Sequence, residues 1–285
     1  MAVSNLVSRI GTAVVGIPAF LALLYYAKPW AFYAFIAVAV AIGAFELFAM
    51  VSGSDRISQI LGVVATLGTS ACFYFFSNKP ILLSCMLIVL PVVSMLVVLW
   101  RLGDIRTAAV RVMAGVFVPL YVGCGLTTLA LLKRGVCGAG CDLGSQLATN
   151  SMAEGPGLVV LAVGLAWGSD TGGYFAGRYL GKHKLYAAVS PKKTIEGSIG
   201  GVLVATLIAL LGSFWYLPSL SWTHAIPLAI IGSLLGQFGD LGESLLKRSF
   251  NVKDSGHILP GHGGILDRVD ALIVTGTVVF LYSRW

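Results

Sequence analysis

The sequence predicts an all-α integral membrane protein that crosses the bilayer about nine times. Of its 285 residues, 57% are hydrophobic and only 11% are charged, with a mean hydropathy of +0.90. Soluble domains carry roughly 25% charged residues. The apolar runs are long and lack the alternation of a barrel strand. Because backbone groups in hydrocarbon must be hydrogen-bonded internally, such runs are predicted to be helices.

Nine apolar segments are long enough to span, since a helix needs about 20 residues to cross roughly 30 Å of hydrocarbon. They lie near residues 10–27, 30–50, 58–76, 81–100, 110–132, 157–178, 195–216, 224–241 and 265–283. The first segment has no small-residue cleavage site and is interpreted as a retained helix. We expect residues 1–156 to form a scaffold of about five helices. Residues 157–285 hold most of the acids and all four histidines, so chemistry is expected there.

The distribution of basic residues predicts the orientation of the chain. With nine spans, 14 of the 19 Lys and Arg residues fall on the side of the N-terminus. Loops rich in Lys and Arg stay in the cytoplasm, so the N-terminus is predicted to be cytoplasmic in a multi-pass protein of the inner cell membrane. The net charge of +7 is therefore attributed to orientation and anionic lipid, and nucleic-acid binding is not expected.

Cys137 and Cys141 lie in a polar loop on the predicted outer side. No histidine or further cysteine is near them in the sequence, so a zinc site is poorly supported. Whether they form a disulfide is left open.

An acid within the sixth apolar segment is the first candidate site residue. Asp170 precedes Arg178 by eight residues, about 12 Å along a helix, which places it below the headgroups. A carboxylate at that depth is costly and usually functional. The alternative is a structural acid that hydrogen-bonds to a neighbouring helix.

A basic segment follows at residues 190–194. Pro191 excludes a helix there, and Thr194 can cap the helix that begins beside Glu196. Lys192 and Lys193 would then present ammonium groups at a helix N-terminus, which predicts an anion site together with Ser190 and Thr194. An ordinary cytoplasmic loop that touches lipid phosphates is an equally good interpretation of this segment alone.

Two further segments carry acids. Asp240, Glu243, Ser244 and Lys247 are spaced to share one helical face, which cannot face lipid. A Glu243–Lys247 salt bridge explains only part of this stripe. Residues 253–270 then combine a glycine-rich loop, suited to phosphate, with further carboxylates. Acids beside a phosphate site are consistent only if a cation such as Mg²⁺ joins them.

Residues 244–270 closely resemble the signature of phosphatidate cytidylyltransferases, also called CDP-diacylglycerol synthases. The W-G-x-D segment at 167–170 and the S-P-x-K-T segment at 190–194 match as well, so the resemblance covers about residues 160–275. It implies transfer of a cytidylyl group from CTP to phosphatidate at the cytoplasmic face of the membrane. It also implies Mg²⁺, a second, monovalent cation such as K⁺, and a homodimer.

The resemblance assigns roles to residues of this chain. Asp240 and Asp267 would hold the metal, with Asp270 beside them, and Lys193 would neutralise phosphate. Further candidates to act on or bind phosphate are Lys247, Arg248, Lys253, His262, Gly263, Gly264 and Arg268. Asp170, Glu196, Glu243, Ser244 and Asp254 are expected to complete the pocket.

Two rival classes share part of this pattern. A cation-coupled transporter would also bury acids, but it needs a path lined on both sides of the membrane, and the predicted outer loops carry few charges. A lipid kinase that uses CTP would share the predicted cytoplasmic site.

Overall fold

The computed structural model describes residues 16–135, 146–256 and 263–285, and within the helix that starts at residue 146 it describes side chains from Glu154 onward. The described residues form α-helices and one small hairpin. Cys137, Cys141 and His262 lie outside the described residues, so the predictions made for them are not addressed.

The N-terminal part contains six helices. Their bounds are α1 Gly16–Tyr26, α2 Pro29–Ser52, α3 Arg56–Phe75, α4 Pro80–Trp100, α5 Ala108–Val118 and α6 Gly125–Arg134. A 3₁₀ turn, Ile105–Thr107, leads into α5, and a wide π turn, Pro119–Cys124, joins α5 to α6. The region from Ile105 to Arg134 therefore runs as one membrane-length segment.

The C-terminal part contains four helices and a hairpin. Their bounds are α7 Gln146–Tyr179, β1 Lys184–Tyr186, β2 Ser190–Thr194, α8 Ile195–Trp215, α9 Trp222–Ser249 and α10 Leu266–Tyr282. The two strands pair antiparallel, with Tyr186 opposite Ser190.

Seven helical segments of the described residues are long and apolar enough to cross a membrane. Helix α1 is shorter over its described part, and α10 has 17 residues. The prediction of an all-α, polytopic membrane protein is confirmed. The count of nine spans and the cytoplasmic N-terminus stay predictions.

Local sequence explains where the helices begin. Proline occupies the first turn of α2 and α4, where its missing amide donor costs nothing. Asp55 caps α3 by accepting a hydrogen bond from the Ser58 amide. Thr194 caps α8 by accepting from the Gly197 amide, as its position after Pro191 predicts.

The helices that carry the site pack closely. A side chain at Gly172 of α7 would place its Cβ 2.6 Å from the Gly200 carbonyl oxygen of α8, so only glycine allows this approach. Helix α9 packs on α8 and α10, and α10 also contacts α2. The C-terminal ends of α2, α7 and α9 lie at the same end of the bundle as the starts of α8 and α10, as contacts between these helix ends show.

Candidate active site

The site contains a salt bridge between two of the predicted segments. The Lys193 Nζ lies 2.5 Å from the Asp240 Oδ2, and both side chains are about one-quarter exposed. Lys193 is on β2, just before α8, and Asp240 is on α9. The predicted phosphate-binding lysine and the predicted metal carboxylate are therefore neighbours.

A second basic residue joins α9 to α10. Lys247 forms salt bridges with Glu243, one turn earlier, and with the Asp267 Oδ1 at 2.6 Å. All three side chains are largely buried. The other Asp267 oxygen, Oδ2, accepts hydrogen bonds from the amides of Ser255 at 3.0 Å and Gly264 at 2.9 Å. Asp267 thus links α9, α10 and the loop between them.

Two further acids lie within electrostatic range of these pairs. Asp270, one turn after Asp267 on α10, is buried and interacts with Asp240, Glu243 and Asp170. Asp170 in turn interacts with Lys193 and Arg268. The cluster therefore contains five carboxylates, of Asp170, Asp240, Glu243, Asp267 and Asp270. Three cations lie among them, those of Lys193, Lys247 and Arg268.

A cavity of about 300 Å³ opens beside the Lys193–Asp240 pair. It is bordered by α7, the hairpin, α8 and α9. Its lining residues are Ser169, Asp170, Gly173, Tyr174, Leu185, Lys192, Lys193, Thr194, Gly197, Ser198, Gln237 and Asp240. Residues from three of the predicted segments therefore share one pocket.

One wall of this cavity is a polar network that the sequence analysis missed. The Gln237 Oε1 accepts a hydrogen bond from the Ser198 hydroxyl at 2.5 Å. The Gln237 Nε2 donates to the hydroxyls of Ser169 at 3.2 Å and Ser233 at 3.3 Å. Gln237 precedes Asp240 by three residues, so its place on the same helical face was available as a signal.

Tyr121 is a second residue that sequence reasoning missed. Its hydroxyl is buried and has no hydrogen-bond partner in the part of the chain that the structure describes. Its electrostatic neighbours are Asp270, Glu243 and Asp240. Tyr121 lies on the π turn between α5 and α6, and such turns are frequent at functional sites.

Several other predicted site residues differ in their exposure. Lys192, Arg248, Lys253 and Asp254 are exposed at the end of the bundle where the site lies, while Ser190 and Ser244 are partly buried. The Thr194 hydroxyl is engaged in capping α8.

Glu196 holds the hairpin to the start of α8. It accepts hydrogen bonds from the amides of Lys182 at 3.1 Å and His183 at 3.2 Å, and its Oε1 lies 2.6 Å from the His183 Nδ1.

Glu46, from the N-terminal scaffold, also reaches the site. It lies in α2, is only 3% exposed, and accepts three hydrogen bonds from the region of Ser255 and Leu266. Its only sequence signal was a carboxylate inside an apolar run, which is the argument that identified Asp170.

The donor set fits a hard cation. Among the described residues, no group of three or more His, Cys, Asp or Glu side chains converges as a ready metal site. Mg²⁺ does not need one, since it is usually bound by one or two carboxylates, waters and substrate phosphate oxygens. The carboxylates outnumber the cations around them. In addition, the Glu243 Oε1 is buried without a hydrogen-bond partner in the described part of the chain.

Comparison with known sequences identifies relatives along the whole chain. The model of the family described as "Cytidylyltransferase family" matches residues 7–285. A protein of Synechocystis sp. named phosphatidate cytidylyltransferase is 32% identical over 297 aligned residues, covering 96% of this chain and 95% of that protein.

Proteins of the same name from two other bacteria are more similar over shorter stretches. The one from Staphylococcus epidermidis is 46% identical over 121 residues, and the one from Bacillus subtilis is 45% identical over 116 residues. The chain spans about half the length of these relatives, with 46% and 42% of their residues aligned.

Proposed function

The chain belongs to the cytidylyltransferase family, and from that premise and the site geometry we propose that it joins CTP to phosphatidate. A phosphatidate phosphate oxygen attacks the α-phosphorus of CTP and forms a new P–O bond. The bond between the α-phosphorus and the bridging oxygen breaks, and pyrophosphate leaves. The products are CDP-diacylglycerol and pyrophosphate, with no net proton transfer.

One observation carries the proposal: basic and acidic side chains from separate elements of the fold form ion pairs, one of them at the cavity and the other between α9 and α10. Lys193 meets Asp240, and Lys247 meets Asp267. Phosphoryl and nucleotidyl transfer depends on positioning and on neutralising phosphate charge, which such an arrangement can provide. The acceptor phosphate is already a nucleophile near neutral pH, so the site needs no strong general base.

The chain's own groups have distinct roles in this proposal. Asp240 and Asp267 would hold Mg²⁺, which when bound neutralises the triphosphate and polarises the α-phosphate. Lys193, Lys247 and Arg268 bind phosphate oxygens, and the exposed Lys192 and Lys253 guide anions to the cavity. Before substrate arrives, each lysine is neutralised by its carboxylate partner. A metal bound to the carboxylates and phosphates bound to the lysines would preserve this charge balance.

We also propose a second cation, a membrane orientation and an oligomeric state for this protein. The surplus of carboxylates supports a second, monovalent cation such as K⁺ near Mg²⁺, tested by comparing activity in K⁺ and in a large organic cation. The positive-inside distribution supports nine spans with the site facing the cytoplasm, tested by labelling single cysteines in intact cells. Family membership supports a homodimer, tested by light scattering in detergent.

The deciding experiment is incubation of purified protein with CTP labelled on the α-phosphate and with phosphatidate in mixed micelles. The proposal predicts labelled CDP-diacylglycerol and unlabelled pyrophosphate, and dependence on Mg²⁺. A lipid kinase would instead release CDP and phosphorylate the lipid. A transporter would give no product, and either result would exclude the proposed reaction.

Lys193→Ala tests the role of the cavity lysine. We expect turnover to fall about 100-fold, or the KM for CTP to rise comparably, because one charge-stabilising donor is lost. Lys184→Ala is the matched control, since this lysine is exposed on the neighbouring strand. Equal activity of the two variants would show that Lys193 has no role in phosphate binding or turnover.

A further inference from the structure

Glu46 connects the N-terminal scaffold to the start of α10. The Glu46 Oε1 accepts a hydrogen bond from the Ile265 amide at 2.9 Å. The Glu46 Oε2 accepts from the Leu266 amide and from the Ser255 hydroxyl, each at 2.9 Å. The carboxylate therefore binds the two described ends of the loop between α9 and α10, residues 250–256 and 263–265, and the first turn of α10, all more than 200 positions away in the sequence.

The bond to α10 has a physical basis. The first amides of a helix have no partner within the helix, and the positive end of the helix dipole favours an anion. The residue at the N-cap position is Ile265, and its apolar side chain cannot accept hydrogen bonds from these amides. Glu46 takes over that role from another helix, and its own burial is offset because both oxygens accept hydrogen bonds.

The glycines of the loop fit closely around this carboxylate. A Cβ at Gly264 would lie 2.5 Å from the Glu46 Oε2, and a Cβ at Gly256 would lie 2.6 Å from the Glu46 Oε1. Any larger residue at either position would displace the carboxylate. Gly263 has a φ of +78°, and a Cβ there would lie 2.8 Å from the Asp267 Oδ2. The spacing of glycines in this segment is thus explained in part by Glu46.

The position of the Asp267 side chain depends on the same stretches of backbone, at Ser255 and at Gly264. The Ser255 amide and the Gly264 amide bind the Asp267 Oδ2, while the Ser255 hydroxyl and the next two amides after Gly264 bind Glu46. The two carboxylates therefore bind the same two stretches of the chain, at Ser255 and at residues 264–266. We infer that Glu46 is a positioning residue that fixes the loop and, through it, the orientation of Asp267 toward the reacting phosphates. This inference rests on the proposed function for its effect on turnover.

Glu46→Gln is the test variant because it keeps the shape of the side chain but replaces one acceptor oxygen by a donor. That NH₂ group would face a backbone amide or the Ser255 hydroxyl. Glu154→Gln is the matched control, since Glu154 lies on α7 beside a separate cavity lined by Leu217 and Tyr282. We expect kcat of Glu46→Gln to fall about 10- to 100-fold, as is typical when a residue that orients a metal carboxylate is changed.

A second readout measures the loop itself, without substrate or metal. Lys253 is exposed at the start of the loop, so trypsin can cleave after it once the loop opens. Cleavage in the native state follows the population of the open form. We expect Glu46→Gln to be cleaved after Lys253 at least about tenfold faster than wild type or Glu154→Gln, measured by mass spectrometry of the intact fragments.

The two readouts together decide the inference. Loss of turnover combined with faster cleavage supports it. Wild-type turnover, or loss of turnover with unchanged cleavage, overturns it. If Glu46→Gln does not fold, Ser255→Ala takes its place, because it removes one bond to Glu46 without leaving a charge unpaired, and the same criteria apply. If wild type itself forms no CDP-lipid, the proposed function fails, while the cleavage comparison still decides whether Glu46 holds the loop.

Discussion

Lys247→Met should both destabilise the protein and stop turnover, and the two effects should separate in a double variant. Lys247 is the cation between Glu243 and Asp267, and its side chain is 12% exposed. After its removal Asp267 still accepts two amide hydrogen bonds. Glu243, which is 1% exposed, would keep no cation partner among the described residues. The loss of stability therefore comes mainly from leaving the buried Glu243 carboxylate without a cation.

The size of the expected loss in the free energy of unfolding follows from the burial of the Glu243 carboxylate. Removing one partner of a buried ion pair costs about 3–5 kcal/mol in the free energy of unfolding. For a chain of this size we expect the unfolding temperature in detergent to fall by roughly 10 °C. Adding Glu243→Gln removes the unpaired charge, so the double variant should recover most of that loss. Turnover should stay about 100-fold below wild type in both, because the phosphate-binding cation is absent.

The assays are thermal unfolding in detergent and formation of CDP-diacylglycerol from labelled CTP. Lys28→Met is the control, since Lys28 is exposed between α1 and α2. An unfolding temperature of Lys247→Met equal to that of the control would refute the energetic argument. Recovery of turnover together with stability in the double variant would refute the catalytic role of Lys247.

Two other predictions concern single carboxylates. Asp240→Asn and Asp267→Asn should each abolish turnover while the protein elutes as a folded particle in size-exclusion chromatography; wild-type rates would refute their assignment as metal carboxylates. A hydrogen bond from Ser58 and the nearby Arg101 lower the pKa of Asp55 from 3.8 to about 2. Because the lowered pKa belongs to the folded state, its stabilisation is present above about pH 4 and is lost as the pH falls toward 2. Asp55→Asn should therefore flatten the unfolding temperature between pH 5 and pH 2.5 relative to wild type, and an unchanged slope would contradict this.

Much of the helical architecture was predictable because its causes are local. Span length, apolar composition and a cap such as Thr194 act within a few residues, and over residues 16–135, 146–256 and 263–285 the apolar runs are helical, with seven segments of membrane length. The clustering of acids and bases in residues 157–285 was equally visible, since charge is rare in a membrane chain and is retained where it has a role. The i, i+4 spacing of Glu243 and Lys247 allowed a salt bridge as a partial explanation of the polar stripe, and this salt bridge is present in the structure.

Which residues of different segments contact each other was not predictable from their spacing in the sequence. Lys193 and Asp240 are 47 residues apart, and their contact depends on how α8 packs against α9. The Gln237 network depends on the same packing together with the close approach of α7 and α8. Periodicity tells which residues share a face of one helix, but the rotation of that face toward another helix is decided by side-chain packing.

Glu46 is the clearest example of a residue whose helix is predictable from the sequence but whose contacts are not. By itself, the sequence determined that this carboxylate lies in an apolar helix and that a glycine-rich loop precedes α10. Only the tertiary structure decided that the two meet, because the contact joins residues about 220 positions apart through the packing of α2 against α10. A buried carboxylate must find donors, and the free amides at the start of a helix supply them, but which helix does so is set by the assembled bundle.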